Sequence, residues 1–406
     1  MKRTTTITLI SLLLCAGNFF TRAVAQEGRR HEPTGINLSV WKNVATQRTD
    51  TVGSTWFNVG IFSVMNRLNG VGTNLLGSVV RRDMLGIQLS GLANLTGGSM
   101  KGLQAAGITN VNGDRLRGIS LAGLVSITGN EAGGLLFAGL ANICGNENRG
   151  ITAGGLLNIC GNDVTGLSLA GLANIAGDRQ QGLMLSGLLG ICGTTMQGMQ
   201  LSGLGSITGE SMRGVQLSAL GNVTGDTLKG VQIAPINLAR RVKGVQIGLF
   251  NYYKEQLDGI QLGLVNANPR TRYQLMCFAG NAAKINLGVR FKNELFYTIL
   301  GAGAPYLDFN DKFSASLFYR AGAELPLSAR WFVSGDLGYQ HIETFKNKDV
   351  GIPARLYALQ ARLNLTRHLN DRIGLFGTVG YGGSRFYNKG VTYEKGILIE
   401  AGIILL

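Results

Sequence analysis

The sequence predicts an all-β fold: a large antiparallel outer-membrane β-barrel built from 16-residue strand and turn repeats, with a β-solenoid repeat stack followed by a smaller C-terminal β-barrel as the alternative. Three observations lead there: a phrase repeated at fixed spacing, period-two alternation inside each copy, and longer alternating segments toward the C-terminus. Gly86, Gly102, Gly118, Gly134, Gly150, Gly166, Gly182, Gly198, Gly214 and Gly230 each open a copy, so the period is 16 residues. Self-similarity at a fixed period means that one supersecondary unit is repeated.

A copy is extended rather than helical, because glycines at its positions 1, 6 and 12 would each cost about 1 kcal/mol in a helix interior. Positions 2, 4, 6, 8 and 10 are apolar or small, as in Ile119, Leu121, Gly123, Val125 and Ile127. The intervening positions are polar except for the leucine at position 7, as in Gln88, Ser90, Leu92, Asn94 and Thr96. Such alternation over about 10 residues marks a long amphipathic strand and matches the about 9 to 11 residues that a tilted strand needs to cross a bilayer. The linkers between copies carry Gly, Asn, Asp and charge, which is turn chemistry.

The repeat alone leaves barrel and solenoid open. A parallel solenoid with one copy per coil would also give a fixed period, and it would stack Asn94, Asn110, Asn142, Asn158 and Asn174 into a ladder. It would also be expected to point Leu92, Leu124, Leu140, Leu156, Leu172 and Leu188 into its core, where a barrel must place them on the lumen side.

In chain order, residues 1–25 read as a secretory signal peptide, with Lys2 and Arg3, an apolar run, and Ala23, Val24 and Ala25 before Gln26. Residues 26–54 are a polar lead-in or first strand, residues 55–268 the tandem repeats, and residues 269–406 barrel strands closing the same domain. Segments 56–65 and 71–80 look like degenerate early copies. After Gly230 the spacing shortens to 14 at Gly244 and 15 at Gly259, an indel that a β-bulge absorbs. No apolar run is long enough for a transmembrane helix. The net charge of +15 loses Lys2, Arg3 and Arg22 with the signal and becomes +12, which points to outer-membrane lipid and lipopolysaccharide phosphates, or anionic solutes, as neighbours. Cys144, Cys160 and Cys192 share position 11 and read as small strand residues, too far in sequence from any His for metal ligation.

The C-terminal part alternates most clearly. Phe313, Ala315, Leu317, Tyr319, Ala321, Ala323 and Leu325 oppose Ser314, Ser316, Arg320 and Glu324. Trp331, Val333, Leu337 and Tyr339 oppose Ser334, Asp336 and Gln340, and Tyr357, Leu359, Leu363 and Leu365 oppose Gln360, Arg362 and Asn364. Segments 373–381 and 397–405 follow, with aromatics near the strand ends as in an interfacial girdle. This tips the expectation to a single barrel of roughly 20 to 24 strands.

The phrases Gly214-Val-Gln-Leu217, Gly230-Val-Gln-Ile233, Gly244-Val-Gln-Ile247 and Gly259-Ile-Gln-Leu262, with 286–291 and 321–326 nearer the C-terminus, resemble bacterial surface-repeat envelope proteins, whose tandem phrases precede a barrel-like C-terminal portion. The resemblance covers residues 55–406 and implies location and architecture only. The chain departs from many outer-membrane barrels by ending in Ile404, Leu405 and Leu406 rather than in an aromatic residue read by the barrel-insertion machinery.

The functional expectation is a porin-like passage for small solutes or an envelope structural role, with surface adhesion or binding as the alternative, and the cell outer membrane as the location. Arg320, Glu324, Asp336, Arg362, Arg385 and Glu400 are the expected lumen-lining charges. The position-6 glycines Gly91, Gly107, Gly123, Gly139, Gly155, Gly171, Gly187 and Gly203 are expected to shape the wall from mid-strand, tolerating alanine as at Ala219 but no large residue. The sequence carries no phosphate loop, no nucleophile elbow and no paired histidines, so no enzyme, cofactor, metal or nucleic-acid partner is expected. Only His341 and Asp336, on one strand, offer an acid and base couple.

Overall fold

The computed structural model describes residues 35–47, 53–347, 355–387 and 392–405 and divides into two units, Met1–Cys144 and Gly145–Leu406. The expected signal peptide and much of the polar lead-in lie outside the described residues. Both units hold copies of the repeat, and in both the copies pair in parallel. In the first, Ser126 lies beside Asn110 on one side and Asn142 on the other, and Asn94 lies beside Asn110. In the second, Gly166 lies beside Gly150 and Gly182, and Gly214 beside Gly198 and Gly230. The repeats therefore form a β-solenoid-like stack, the alternative arrangement, and the single antiparallel barrel expected over them is corrected. Each residue sits next to its own counterpart one period away, which an antiparallel meander cannot achieve.

One coil contains a long strand such as Arg115–Ala122, a turn at 123–124, a short strand such as Val125–Thr128, and a second turn. Leu116, Ser120, Ala122, Ser126 and Thr128 point inward and are buried. The leucines of position 7 do the opposite of what the solenoid reading expected. Leu92, Leu124, Leu140, Leu156, Leu172 and Leu188 stand at the turn between the two strands and are 40 to 45% exposed. The apolar face of the repeat is outside, and the polar face is the core.

That core is built from amides in register. Gln104 Nε2 donates to Gln88 Oε1 at 3.1 Å, and Asn94 Nδ2 to Asn110 Oδ1 at 3.0 Å. In the second unit Gln216, Gln232 and Gln246 each donate to the glutamine of the preceding coil at 3.0, 2.8 and 2.8 Å. Asn158 donates to Asn174 at 2.9 Å and Asn237 to Asn251 at 2.9 Å. Buried polar groups are tolerable when they are hydrogen-bonded, and an identical amide one coil away offers each a donor or an acceptor.

The glycine rows follow from the same stacking. At position 1, Gly182 and Gly198 each have φ near +120° (+116° and +121°), a backbone that L side chains rarely adopt. The position-6 glycines lie at the exposed turn rather than mid-strand, and a Cβ on Gly171 or Gly187 would fall 2.1 or 1.8 Å from the carbonyl oxygen of the glycine one coil back. The expected tolerance of alanine in this row is corrected for that reason: the neighbour is backbone, which cannot swing aside, and Ala219 is one position at which the stack accommodates a methyl group. The shortened copies stay in register, with Gly244 beside Gly230, through a bulge between Thr224 and Thr227.

The C-terminal strands close on themselves. They are β1 (Arg272–Gly280), β2 (Ile285–Asn293), β3 (Phe296–Ala304), β4 (Lys312–Pro326), β5 (Trp331–Asn347), β6 (Arg355–His368), β7 (Ile373–Phe386) and β8 (Thr392–Leu405). Each pairs antiparallel with the next, and β8 pairs with β1. The result is a closed eight-stranded barrel, not part of a wall of 20 to 24 strands. No helix among the described residues is long and apolar enough to cross a membrane, which says nothing against crossing by strands.

Candidate functional site

Alternation along the barrel strands sends one set of side chains outward and the other into the lumen, as the sequence indicated. Outside, Leu337 and Leu363 are 71 and 62% exposed, and Leu317, Val379, Tyr381, Ile397 and Ile399 lie equally open. Inside, Met276, Phe278, Tyr297, Ile299, Phe318, Phe376 and Ile404 pack together. Eight strands leave an interior just wide enough for side chains to fill.

The lumen charges pair with one another. Glu400, on β8, accepts from Arg320 of β4 at 3.0 and 3.2 Å and from Arg362 of β6 at 3.1 and 3.3 Å. Arg362 also lies 4.0 Å from Asp336 of β5. Asp336 in turn accepts from Asn364 at 2.8 Å and from the Tyr297 hydroxyl at 3.0 Å. A second group joins Glu324 to Arg290 at 2.6 Å and to Lys292. The guanidinium of Arg290 sits 3.8 Å from the Tyr297 ring centre, and that of Arg320 4.6 Å from Phe278. Four cations thus meet three carboxylates from five strands, and aromatic faces cover the cationic surplus.

Five of the six charges expected in the lumen, Arg320, Glu324, Asp336, Arg362 and Glu400, are buried there. Arg385 is not: it is exposed near the end of β7, beside a register shift at Ser384, on the same face as Val379 and Tyr381. Its odd number already shared the parity of those outward residues. Sequence reasoning missed Arg290 and Lys292, although they alternate with Leu287, Val289 and Phe291 on β2. His341 and Asp336 are not brought together. His341 faces outward within 3.0 Å of the Tyr387 hydroxyl and 3.6 Å from Glu343, while Asp336 is held in the lumen.

The packed interior has little free space. A cavity of about 10 Å³ lies among Met276, Arg290, Tyr297, Arg320, Asp336 and Phe376, at the lower limit of what one water molecule needs. A wider cleft of about 810 Å³ lies outside the barrel, between the last coils and the outer wall of β3 and β4, lined by Leu249, Ile260, Leu262, Phe296 and Tyr319 among others. The Tyr319 hydroxyl crosses it to the Gly263 carbonyl at 2.8 Å, and Asn268 reaches Asn293 at 3.1 Å. Among the described residues no cluster of His, Cys, Asp and Glu is arranged to hold a metal ion.

No family model matches the chain, and no curated protein matches it. Among solved structures, the N-terminal β-barrel domain of Pseudomonas aeruginosa OprF is similar at 14% identity, covering 33% of this chain and 93% of that one with a TM-score of 0.24.

Proposed function

We propose that the protein is an outer-membrane protein with an envelope structural role, in which the eight-stranded barrel is a closed anchor rather than a passage for solutes. The observation that carries this reading is the lumen. Its arginines, the feature that would favour anionic solutes, are paired with Glu400, Asp336 and Glu324, and Arg320 is wedged between the rings of Phe278 and Phe318. A selective pore needs charges free to meet a passing ion, and here they meet each other. The outward face meets the requirement for a lipid-facing wall: it is apolar along the strand middles and closed, so no sheet edge is left unpaired. The neighbours implied are outer-membrane lipid, lipopolysaccharide and the barrel-insertion machinery.

The test is reconstitution of the full-length protein into planar bilayers, with heat-modifiable gel migration confirming insertion of a folded barrel. The expected result is a folded, inserted protein that gives no discrete conductance steps. Reproducible single-channel steps from the inserted protein would overturn the closed anchor and restore the porin reading.

A further inference from the structure

Charge in the repeats is confined to one place in each coil. From Gly118 to Thr128 no residue is charged, and the same holds for residues 86–96, 102–112 and 134–144 in the first unit and for 150–160, 166–176, 182–192, 198–208 and 214–224 in the second. Every charged side chain of these copies falls in the remaining five positions, as in Asp114, Arg115 and Arg117. Because the copies stack in register, these positions align into one charged ridge in each unit, with cross-coil pairs such as Arg179 to Asp163 at 2.7 Å and Arg115 to Glu131 at 3.4 Å. Across the coil from the ridge stands the row of exposed leucines. Between ridge and row the surface is apolar, with Leu121, Phe137, Ile151, Met199 and Leu217 all substantially exposed.

We propose that the coils of Gly145–Leu406 are themselves embedded in the membrane, with the charged ridge at the headgroups and the leucine row in the hydrocarbon of the same bilayer that holds the barrel. This rests on the anchor reading above. Four features favour lipid as the occupant of this surface. Contiguous exposed apolar surface of this extent is foreign to a protein surrounded by water. The five extended residues from the ridge to the leucine turn, such as 166–170, span about 16 Å, roughly half of the 30 Å hydrocarbon core, so a coil reaches one leaflet deep. Hydrocarbon demands that every backbone polar group be satisfied within the protein, and the turn at the leucine row meets that demand. There the amides of Gly187, Leu188 and Leu189 bond to the carbonyls of Ala170 and Leu172 one coil back at 2.9, 2.9 and 3.0 Å. The last coils, finally, abut the apolar outer wall of the barrel across the cleft at Phe296 and Tyr319, so the lipid-facing belt runs on from the barrel into the coils.

The experiment uses the full chain in lipid vesicles with Trp41, Trp56 and Trp331 replaced by phenylalanine and a single tryptophan returned at one site. Leu172→Trp reports on the leucine row, Thr165→Trp on the ridge and Leu363→Trp on the barrel wall, with Leu204→Trp as a second row position should Leu172→Trp fail to fold. Bromine on the lipid acyl chains is expected to remove most of the emission at Leu172→Trp and Leu363→Trp, while aqueous acrylamide quenches only Thr165→Trp. If Leu363→Trp is quenched by bromolipid and the row tryptophan by acrylamide alone, the embedded coils are excluded and the anchor stands. If neither is quenched by bromolipid, the anchor reading fails and the inference with it. A row tryptophan shielded from both quenchers would mean that protein, a second copy or another partner, covers the face, which also overturns the proposal.

Discussion

The coils and the barrel use the same alternation to opposite structural ends. In both, the outward face is apolar and the polar side chains face in beside some large apolar ones, yet the barrel pairs its strands antiparallel and closes the sheet, while the coils pair in parallel and stack. Their interiors differ accordingly. The barrel gathers residues far apart in sequence, so Arg320 and Arg362 meet Glu400 over 80 and 38 positions. The coils bring together residues 16 apart, which are usually of the same kind, and only uncharged groups, whether amides, hydroxyls or apolar side chains such as Met196 and Met212, can stack on themselves without repulsion. A parallel in-register stack thus selects an uncharged interior, whereas a barrel can afford opposite charges because its neighbours in space are unrelated in sequence.

The largest effect is expected on removal of the carboxylate that holds the barrel interior together. Glu400→Gln leaves Arg320 and Arg362 facing each other in a buried site, and the loss of one member of a buried ion group typically costs about 3 to 5 kcal/mol. Denaturant titration in phospholipid vesicles, read by the folded and unfolded gel bands, is expected to show that loss. A change below about 1 kcal/mol would mean that the lumen is hydrated and the charges screened.

The sequence made one half of this legible and disguised the other. On β4 to β8 the parity of Phe313 to Leu325, of Trp331 to Tyr339, of Tyr357 to Leu365 and of Ile397 to Leu405 identified the outward face, and with it five of the seven lumen charges. Alternation reports which way a side chain points and is silent on which strand lies next door, so it could not tell a meander from a stack. The information that decides was in the asparagine and glutamine rows, because amides repeated at one period gain most when identical residues are adjacent. Leu92 and its equivalents misled in a different way: large apolar residues were expected inside a solenoid, and here the outside is the apolar side. The convergence of five strands' charges on the lumen was illegible for a simpler reason, since nothing local in Arg290 or Glu324 specifies a partner 34 residues away.

The coil interior is the next point of attack, and its response should be smaller. Gln216 donates to Gln200 and Thr208 at 3.0 and 3.2 Å and accepts from Gln232 and Thr224 at 2.8 and 3.2 Å. Gln216→Ala strands buried partners above and below, an expected loss of about 1 to 3 kcal/mol. Gln216→Met should cost less, because it keeps the volume and Met184 already occupies the same row, where Gln200 packs its amide 3.5 Å from the thioether. If methionine proves as damaging as alanine in the same titration, the ladder is held by hydrogen bonds alone and packing contributes little.

The ridge should respond least. Asp226 accepts from Arg241 at 2.5 Å, with Arg240 at 3.9 Å, and the hydrogen bond from Arg241, ahead of the nearby charges, holds its carboxyl below the usual range. A carboxylate whose folded value is depressed adds stability that is present above its unfolded value of about 3.9 and is lost as the pH falls through the lower folded value. The pair is partly open to water, so its contribution is screened and should stay below about 1 kcal/mol. Asp226→Asn is therefore expected to leave unfolding nearly unchanged at neutral pH, and the small gap between variant and parent should close below about pH 4. A loss comparable with that of Gln216→Ala, persisting at acid pH, would show that Asp226 clamps the coils through geometry that asparagine cannot reproduce, and the ridge would then belong with the interiors as part of what holds the stack in register.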